Sequence, residues 1–202
     1  MVRIAVLDYG MGNLHSVARA LQRVGAAVEV TDDPDALGRA DGLVVPGVGA
    51  FGACMRNLQA RGLAEPLRAS VASGRPVFGV CLGMQVLFEG SEEDPEPGLG
   101  ILPGKCRRLP STVKVPHMGW NEVRWVRPHP YVAGLPDGTR FYFVHSFAPD
   151  VLDGPTVGVA EHGRAFSAAV SAGNLFATQF HPEKSGQAGL AIYEAFVRGI
   201  GS

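Results

Sequence analysis

One cysteine of this chain lies in a sequence that favours covalent chemistry. The apolar run at 76–78 leads into Gly-Val-Cys-Leu-Gly at 79–83, which predicts a strand, a sharp turn and then a helix. This is the pattern of a nucleophile elbow with sulfur in place of a serine oxygen, and its glycines leave room for the tight turn. A helix that begins directly after Cys81 presents free N–H groups to the sulfur, and these favour the attacking thiolate. We therefore predict that Cys81 is a nucleophile.

A cysteine nucleophile needs a base and a group that orients that base. His181 is the best placed histidine, because it follows a predicted strand at 175–180 and so lies at a carboxyl edge, where open α/β sheets form their sites. Glu183 is two residues further on, and residues i and i+2 of an extended segment face the same way. We expect the Glu183 carboxylate to hold one ring nitrogen and to leave the other for Cys81.

Acyl transfer also needs hydrogen-bond donors for the developing oxyanion. Pro-Gly-Val-Gly at 46–49 follows a predicted strand at 42–45, and its glycines allow the backbone to turn N–H groups toward a substrate. The residue after the nucleophile supplies a second donor. The backbone groups expected to form this oxyanion hole belong to Gly47, Val48, Gly49 and Leu82. Each motif is common by itself, but their combination, each after a predicted strand, indicates acyl-transfer chemistry.

The elements that must position these residues alternate strand with helix in the first half of the chain. The predicted strands are apolar throughout, as in a parallel sheet that is covered on both faces. They lie at 2–7, 28–31, 42–45 and 77–80. Helical spacing marks 14–24, 58–72 and 82–89, with Pro66 as a start or break in the second of these. The pattern predicts an α/β fold with a flavodoxin-like open, mostly parallel sheet and helices on both faces.

The second half of the chain predicts antiparallel strands added to that sheet. They are short, are separated by turn residues and lie at 121–126, 140–147, 156–161, 165–171 and 175–180. An acidic segment at 91–97 reads as a loop, and 186–200 as a closing helix for which Ser185 is the expected N-cap. With neither an internal repeat nor a long linker, residues 1–202 are predicted to form one domain.

Composition excludes several classes of protein. The 202 residues are 46% hydrophobic and 18% charged, which indicates a globular protein rather than a disordered one. A net charge of −1 provides no basic surplus for nucleic acid or an anionic membrane, and no uncharged apolar stretch reaches the roughly 18 residues of a membrane helix. Three cysteines without a secretory signal predict a cytoplasmic protein without disulfides, with Cys54 and Cys106 as small buried side chains.

The three motifs together resemble the class I, triad-type glutamine amidotransferases, and the resemblance covers essentially the whole chain. It implies that Cys81 attacks the side-chain amide of glutamine, releases ammonia and forms a γ-glutamyl thioester that water hydrolyses to glutamate. His181 would move the protons, with Glu183 orienting it, and neither metal nor cofactor is expected. The resemblance also implies substrate contacts from Gln85, Glu93 and the backbone of Ser146 and Phe147. The family often has Tyr where this chain has Phe147, a change that matters little for a backbone contact. Gln85 has an alternative interpretation as a solvated helix residue, and Glu93 has one as an ordinary residue of the acidic loop.

Within that family, three further segments resemble the members that are separate glutaminase subunits in histidine biosynthesis. These segments lie at 8–14, 116–121 and 142–147. The resemblance implies a heterodimer in which ammonia passes to a cyclase subunit with a (β/α)₈ barrel. The interface candidates by family position are Tyr9, Asn13, Met118, Trp120 and Lys184. For Met118 and Trp120 the alternative is a place in the core.

Three other functions remain open at the level of the sequence. The chain could be the glutaminase of pyridoxal, GMP or anthranilate synthesis, although the segments at 9–13 and 117–120 argue against this. A flavodoxin-like binding or redox module would have no need of a cysteine, a histidine and a glutamate in these settings. A stress-type cysteine hydrolase of similar fold would lack the segments assigned to glutamine binding.

Overall fold

A computed structural model describes residues 1–201, and within them strands and helices alternate through the first half as predicted. The strands are β1 (Arg3–Leu7), β2 (Ala27–Thr31), β3 (Gly42–Gly47), β4 (Val77–Cys81), β5 (Gly90–Ser91), β6 (Lys105–Arg108), β7 (His117–Trp125), β8 (Thr139–His145), β9 (Phe147–Pro149), β10 (Thr156–Glu161), β11 (Ala165–Ala172) and β12 (Leu175–Thr178). The helices are α1 (Leu14–Arg23), α2 (Pro34–Arg39), α3 (Phe51–Ala60), α4 (Ala64–Ala72), α5 (Leu82–Gln85) and α6 (Gly186–Ile200), and a 3₁₀ turn spans Pro182–Lys184.

The larger sheet has nine strands within the described residues, in the order β2-β1-β3-β4-β12-β11-β10-β7-β8. Its first five strands are parallel, and β11, β10, β7 and β8 extend it with antiparallel pairs. A smaller sheet joins β5, β6 and β9. The predicted fold class, a mostly parallel α/β sheet with antiparallel additions in the second half, is confirmed.

The central strands are apolar throughout because each of their faces borders its own core. Along β1, Ile4 and Val6 belong to one buried cluster, whereas Ala5 and Leu7 belong to the other. This alternation follows from the two-residue period of a strand. On the first side Phe78 of β4 packs against aromatic rings at centroid distances of 5.3–5.4 Å, and these rings belong to Phe176, Tyr193 and Phe196.

The predicted helix over 58–72 is wrong, because this region contains the end of one helix and the whole of another. The first ends at Ala60, and Gly62 follows with φ +65°, a conformation that suits glycine at a helix C-terminus. Its N–H donates to the Gln59 carbonyl at 3.0 Å. Pro66 marks a helix start, one of the two outcomes expected of it, since α4 begins at Ala64. It lies in the first turn of α4, where a missing N–H removes no helical hydrogen bond.

Other boundaries also differ from the sequence prediction. The helix predicted over 82–89 is only the four-residue α5, so its dipole at Cys81 is smaller than that of a full helix. The strand predicted over 140–147 is interrupted at Ser146, and β7 begins at His117 rather than at 121. The prediction missed α2, β5 and β6. For α2 a signal was available, since Asp33 caps the Asp35 N–H at 2.9 Å directly before a proline.

Candidate active site

Cys81 occupies the sharp turn between β4 and α5. Its φ is +55° and its ψ −110°, and it is the one non-glycine residue with positive φ among residues 1–201. The flanking glycines are required by close contacts. A Cβ on Gly83 would lie 1.8 Å from the Val45 carbonyl oxygen, and one on Gly79 would lie 2.8 Å from the Gly83 carbonyl oxygen. The predicted elbow is therefore present, with its strain concentrated at Cys81.

His181 and Glu183 form a buried pair. Nδ1 of His181 lies 2.8 Å from Oε1 of Glu183, and each side chain is 1% exposed. The contact forms because the chain turns at Pro182–Lys184, so the prediction of an extended His-Pro-Glu segment is wrong. Ser185 lies at the predicted N-cap but makes no capping bond. Its Oγ donates to the His181 carbonyl at 2.7 Å and accepts from the Tyr142 N–H at 3.0 Å, which anchors the turn to β8.

The surroundings of His181 favour its charged form. Nε2 of His181 is buried and makes no hydrogen bond of normal geometry within the described residues. Burial acts to lower the pKa of His181, but the charge of the Cys81 thiolate and the bond to Glu183 outweigh it and raise the pKa well above its ordinary value. The sulfur also lies 3.7 Å from Nε2 of Gln179, an amide that donates to it. This is the electrostatic arrangement of an activated cysteine.

A cavity of about 260 Å³ opens above the sulfur. Its wall includes nine residues predicted from the sequence, namely Val48, Gly49, Cys81, Leu82, Gln85, Glu93, Ser146, Phe147 and His181. Three more line it without having been predicted, namely Pro116, Val144 and His145. The structure thus brings the predicted nucleophile, its predicted base and the predicted substrate contacts to one site, whereas Glu183 lies behind His181.

The predicted oxyanion loop divides into two parts. Gly49 has φ +103° and, with Val48, lies on the cavity wall beside Leu82. Gly47 ends β3 outside that wall, and a Cβ on it would lie 2.6 Å from both the Gly83 nitrogen and the Tyr9 hydroxyl. Gly47 therefore serves close packing against α5.

Gln85 and Glu93 have structural partners as well as positions on the wall. Gln85 is 4% exposed, so its alternative interpretation as a solvated helix residue is wrong. Its Nε2 donates to the Phe147 carbonyl at 2.9 Å and to Oε1 of Gln179 at 3.0 Å. Glu93 accepts the Phe51 N–H at 2.9 Å, at the start of α3.

The five interface candidates differ in exposure. Tyr9 is 0% exposed and its hydroxyl donates to the Pro46 carbonyl, so the prediction that it faces a partner is wrong. It is a core residue because it packs beneath the strand that carries the oxyanion loop. Met118 and Trp120 are 62% and 54% exposed, so their alternative place in the core is excluded. Lys184 is exposed near the Tyr142 ring, and Asn13 is half-buried at the start of α1.

Gln179 is the site residue that the sequence analysis missed most clearly. It contacts both Cys81 and Gln85, and it is 0% exposed. The available signal was its position two residues before His181.

Cys54 and Cys106 are fully buried as predicted, and burial raises the pKa of both thiols.

Within residues 1–201, no group of three or more histidine, cysteine, aspartate or glutamate side chains could hold a metal ion. Over the same part of the chain, each helix is too short or too polar to cross a lipid bilayer.

Comparison with known proteins places these features in a family. The family model described as glutamine amidotransferase class-I matches residues 5–199. The imidazole glycerol phosphate synthase subunit HisH of Moorella thermoacetica is 50% identical over 195 residues, covering 96% of this chain and 93% of the relative. The HisH subunit of Symbiobacterium thermophilum is 51% identical over 194 residues, covering 95% and 92%.

Solved structures support the same fold. The crystal structure of a glutamine amidotransferase superposes with a TM-score of 0.77 at 21% identity, covering 98% of this chain and 99% of the other. PurLQS from Thermotoga maritima gives a TM-score of 0.77 at 20% identity, covering 98% of each chain.

Proposed function

The chain belongs to the class-I glutamine amidotransferase family, and from that premise we propose that it is the glutaminase subunit of an imidazole glycerol phosphate synthase in histidine biosynthesis. The observation that carries this proposal is the strained Cys81 at one end of a cavity whose wall includes His181. This histidine is buried and is hydrogen-bonded to Glu183. About half of the residues are identical to those of HisH subunits over nearly the full length of the chain, which favours the histidine-biosynthesis branch of the family.

The first half of the reaction makes ammonia. The Cys81 thiolate attacks the side-chain carbonyl carbon of glutamine and forms a tetrahedral intermediate. His181 gives the proton on Nε2 to the leaving nitrogen, the C–N bond breaks, and a γ-glutamyl thioester remains on Cys81. Glu183 holds Nδ1 throughout, which keeps Nε2 directed toward the reacting atoms.

The second half of the reaction restores the enzyme. His181 is now neutral at Nε2 and takes a proton from water, whose oxygen attacks the thioester carbonyl. The C–S bond breaks, glutamate leaves, and the thiolate and imidazolium re-form. In both halves the N–H groups of Val48, Gly49 and Leu82 stabilise the oxyanion, and the loss of one such donor costs about 3 kcal/mol of transition-state stabilisation.

The cavity suits a small amino acid. Glu93 supplies negative charge on the wall for the substrate's ammonium group. Ser146, Phe147 and Gln85 of α5 also lie on the cavity wall. In this proposal they contact the bound glutamine.

The relatives are named as subunits, and this chain accordingly works with a partner subunit. We propose a cyclase with a (β/α)₈ barrel, which uses the ammonia to form imidazole glycerol phosphate and an aminoimidazole carboxamide ribotide. Met118, Trp120 and Lys184 are exposed, and aromatic and methionine side chains suit an interface. A closed interface would keep the ammonia from being protonated in water. The free cysteines fit a cytoplasmic location.

Glutamine hydrolysis with and without the candidate cyclase tests the proposal. We expect the complex to release glutamate and to consume ammonia in cyclase product, and Cys81→Ala to abolish both. Cys54→Ala is the matched control, because that thiol is buried away from the cavity. A complex that hydrolyses glutamine but forms no cyclase product would instead favour the glutaminase of another pathway.

A further inference from the structure

Two histidines that the mechanism does not use connect the active-site wall to strand β7. Nδ1 of His117 lies 2.9 Å from Nε2 of His145, and Nδ1 of His145 lies 3.0 Å from the carbonyl oxygen of Phe147. At the other end, Nδ2 of Asn121 lies 3.3 Å from Nε2 of His117. Both rings are buried, at 5% and 6% exposure, so water does not compete for these bonds.

The direction of every bond in this series is determined. The Phe147 carbonyl can only accept, so Nδ1 of His145 carries its proton and Nε2 accepts one from Nδ1 of His117. Nε2 of His117 is then an acceptor, which matches the amide N–H of Asn121. The orientation of that amide is fixed separately, because its Oδ1 accepts the Glu122 N–H at 2.8 Å. Both ends of the series therefore require the same tautomers.

Both rings stay neutral through the physiological range. Burial lowers the pKa of His117 to about 4 and that of His145 to about 3, and the charge of a neighbouring histidine contributes in each case. A neutral imidazole has one donor and one acceptor, and each ring uses both in the hydrogen bonds described above.

We propose that His117 and His145 are positioning residues that fix the Phe147 carbonyl and the glutamine-binding wall beside it. The inference rests on the proposed function of the cavity. The same oxygen accepts Nε2 of Gln85 at 2.9 Å, so it is held from β8 on one side and from α5 on the other. Two donors fix the peptide plane between Phe147 and Ala148, and Phe147 lies on the cavity wall next to Ser146.

Packing alone does not require histidine at these positions. The His117 ring stacks on Phe143 at a centroid distance of 4.9 Å, and the His145 ring meets the edge of Phe166 at 5.0 Å. A phenylalanine would keep such contacts and lose the hydrogen bonds. Substitution by phenylalanine therefore separates positioning from packing.

The test is glutamine hydrolysis by the full chain in complex with its partner subunit. His145→Phe removes the donor to Phe147, whereas His145→Asn keeps an N–H near the place of Nδ1. We expect KM for glutamine to rise about fivefold or more in His145→Phe, with kcat changed less than about twofold, and KM to return to within about twofold in His145→Asn. An unchanged KM in His145→Phe, or an equal rise in both variants, overturns the proposal.

A second pair covers the case in which the His145 variants fail to fold. His117→Phe removes the N–H that donates to Nε2 of His145, so His145 can then adopt either tautomer, and KM should rise as it does in His145→Phe. His117→Asn keeps a donor at this place and should restore KM. His129→Phe is the control, because this histidine also stacks on an aromatic ring, Phe176, but lies outside the cavity wall. An unchanged KM in His117→Phe contradicts the proposal independently.

Alkylation of Cys81 by iodoacetamide distinguishes the possible failures. Equal rates in the wild type and all variants show that the nucleophile is intact, which the proposal requires. A parallel fall in alkylation overturns it, because the nucleophile itself would then be disturbed. A wild-type complex that hydrolyses no glutamine at all refutes the proposed function of the cavity. It does not refute the hydrogen bonds that connect Asn121, His117, His145 and Phe147.

Discussion

Nδ1 of His181 and Oε1 of Glu183 lie 2.8 Å apart in a place where both side chains are 1% exposed. The second carboxylate oxygen, Oε2, is buried without a hydrogen-bond partner among the described residues, so the imidazole is the main support for that charge. A charged hydrogen bond away from water is strong and directional. It fixes which ring nitrogen serves the nucleophile.

Glu183→Gln should therefore inactivate the enzyme while leaving the fold largely intact. The amide keeps the shape but removes the charge that stabilises an imidazolium, and it can present a donor to Nδ1 and select the wrong tautomer. We expect kcat for glutamine hydrolysis to fall about 10³- to 10⁴-fold. The control is Glu194→Gln, whose carboxylate is 61% exposed beside Arg198. Loss of activity below about tenfold would contradict the assigned role.

The raised pKa of His181 predicts the pH dependence of Cys81 alkylation. Because the pKa is raised above 6.5 to about 10, the imidazolium persists through neutral pH and loses its charge only as the pH approaches that value. His181→Gln should slow iodoacetamide labelling about tenfold or more at pH 6.5, and the difference should shrink toward pH 10. Mass spectrometry of the labelled peptide measures both rates. A difference that is constant with pH would exclude the ion pair as its cause.

Gly83→Ala should destabilise the protein because its Cβ would lie 1.8 Å from the Val45 carbonyl oxygen. The oxygen belongs to the backbone and the position of a Cβ is fixed by the backbone, so neither atom can move without shifting β3 or α5, and we expect a loss of about 3 kcal/mol or more. Gly38→Ala is the matched control, since nothing lies within 4 Å of its Cβ and it lies in α2. There alanine should stabilise by up to about 1 kcal/mol. Urea unfolding compares the two, and equal stabilities would refute the close contact.

Tyr9→Phe should weaken both stability and catalysis. The buried Tyr9 hydroxyl donates to the Pro46 carbonyl, directly before the oxyanion loop. Loss of this bond should cost about 1–2 kcal/mol of unfolding free energy and lower kcat more than it raises KM. Tyr193→Phe is the control, because its hydroxyl is buried without a hydrogen-bond partner in the described part of the chain. If both variants lose the same stability, the bond to Pro46 has no special role.

Patterns that depend on near neighbours were sufficient to predict much of the site. The elbow at Cys81 follows from glycines two residues to either side, and the contact of His181 with Glu183 is made across one turn. The predicted extended backbone between these two residues is wrong. A 3₁₀ turn joins them instead, and it brings the two side chains together as readily as an extended segment would. Strand apolarity likewise indicated a sheet with both faces covered.

Local patterns could not decide which side chains are exposed. Tyr9 and Trp120 are both aromatic and were both predicted at the interface, yet the first is 0% exposed and the second 54%. The difference depends on what packs against each strand. Tyr9 follows β1 and Trp120 lies on β7, and each of these strands is one position from an edge of the sheet. Tyr9 belongs to one of the two buried clusters, whereas Trp120 belongs to neither of them.

The sequence by itself determined the residues of the proposed chemistry, since residue types and short spacings indicate a cysteine nucleophile, an oriented histidine and backbone donors. Only the tertiary structure decided that these groups meet. Cys81 and His181 are one hundred positions apart, and they share a site because β4 and β12 pair in parallel, with Val80 opposite Thr178. Pairing in that register is set by packing of the whole sheet, and parallel strands necessarily bring their carboxyl ends to one edge.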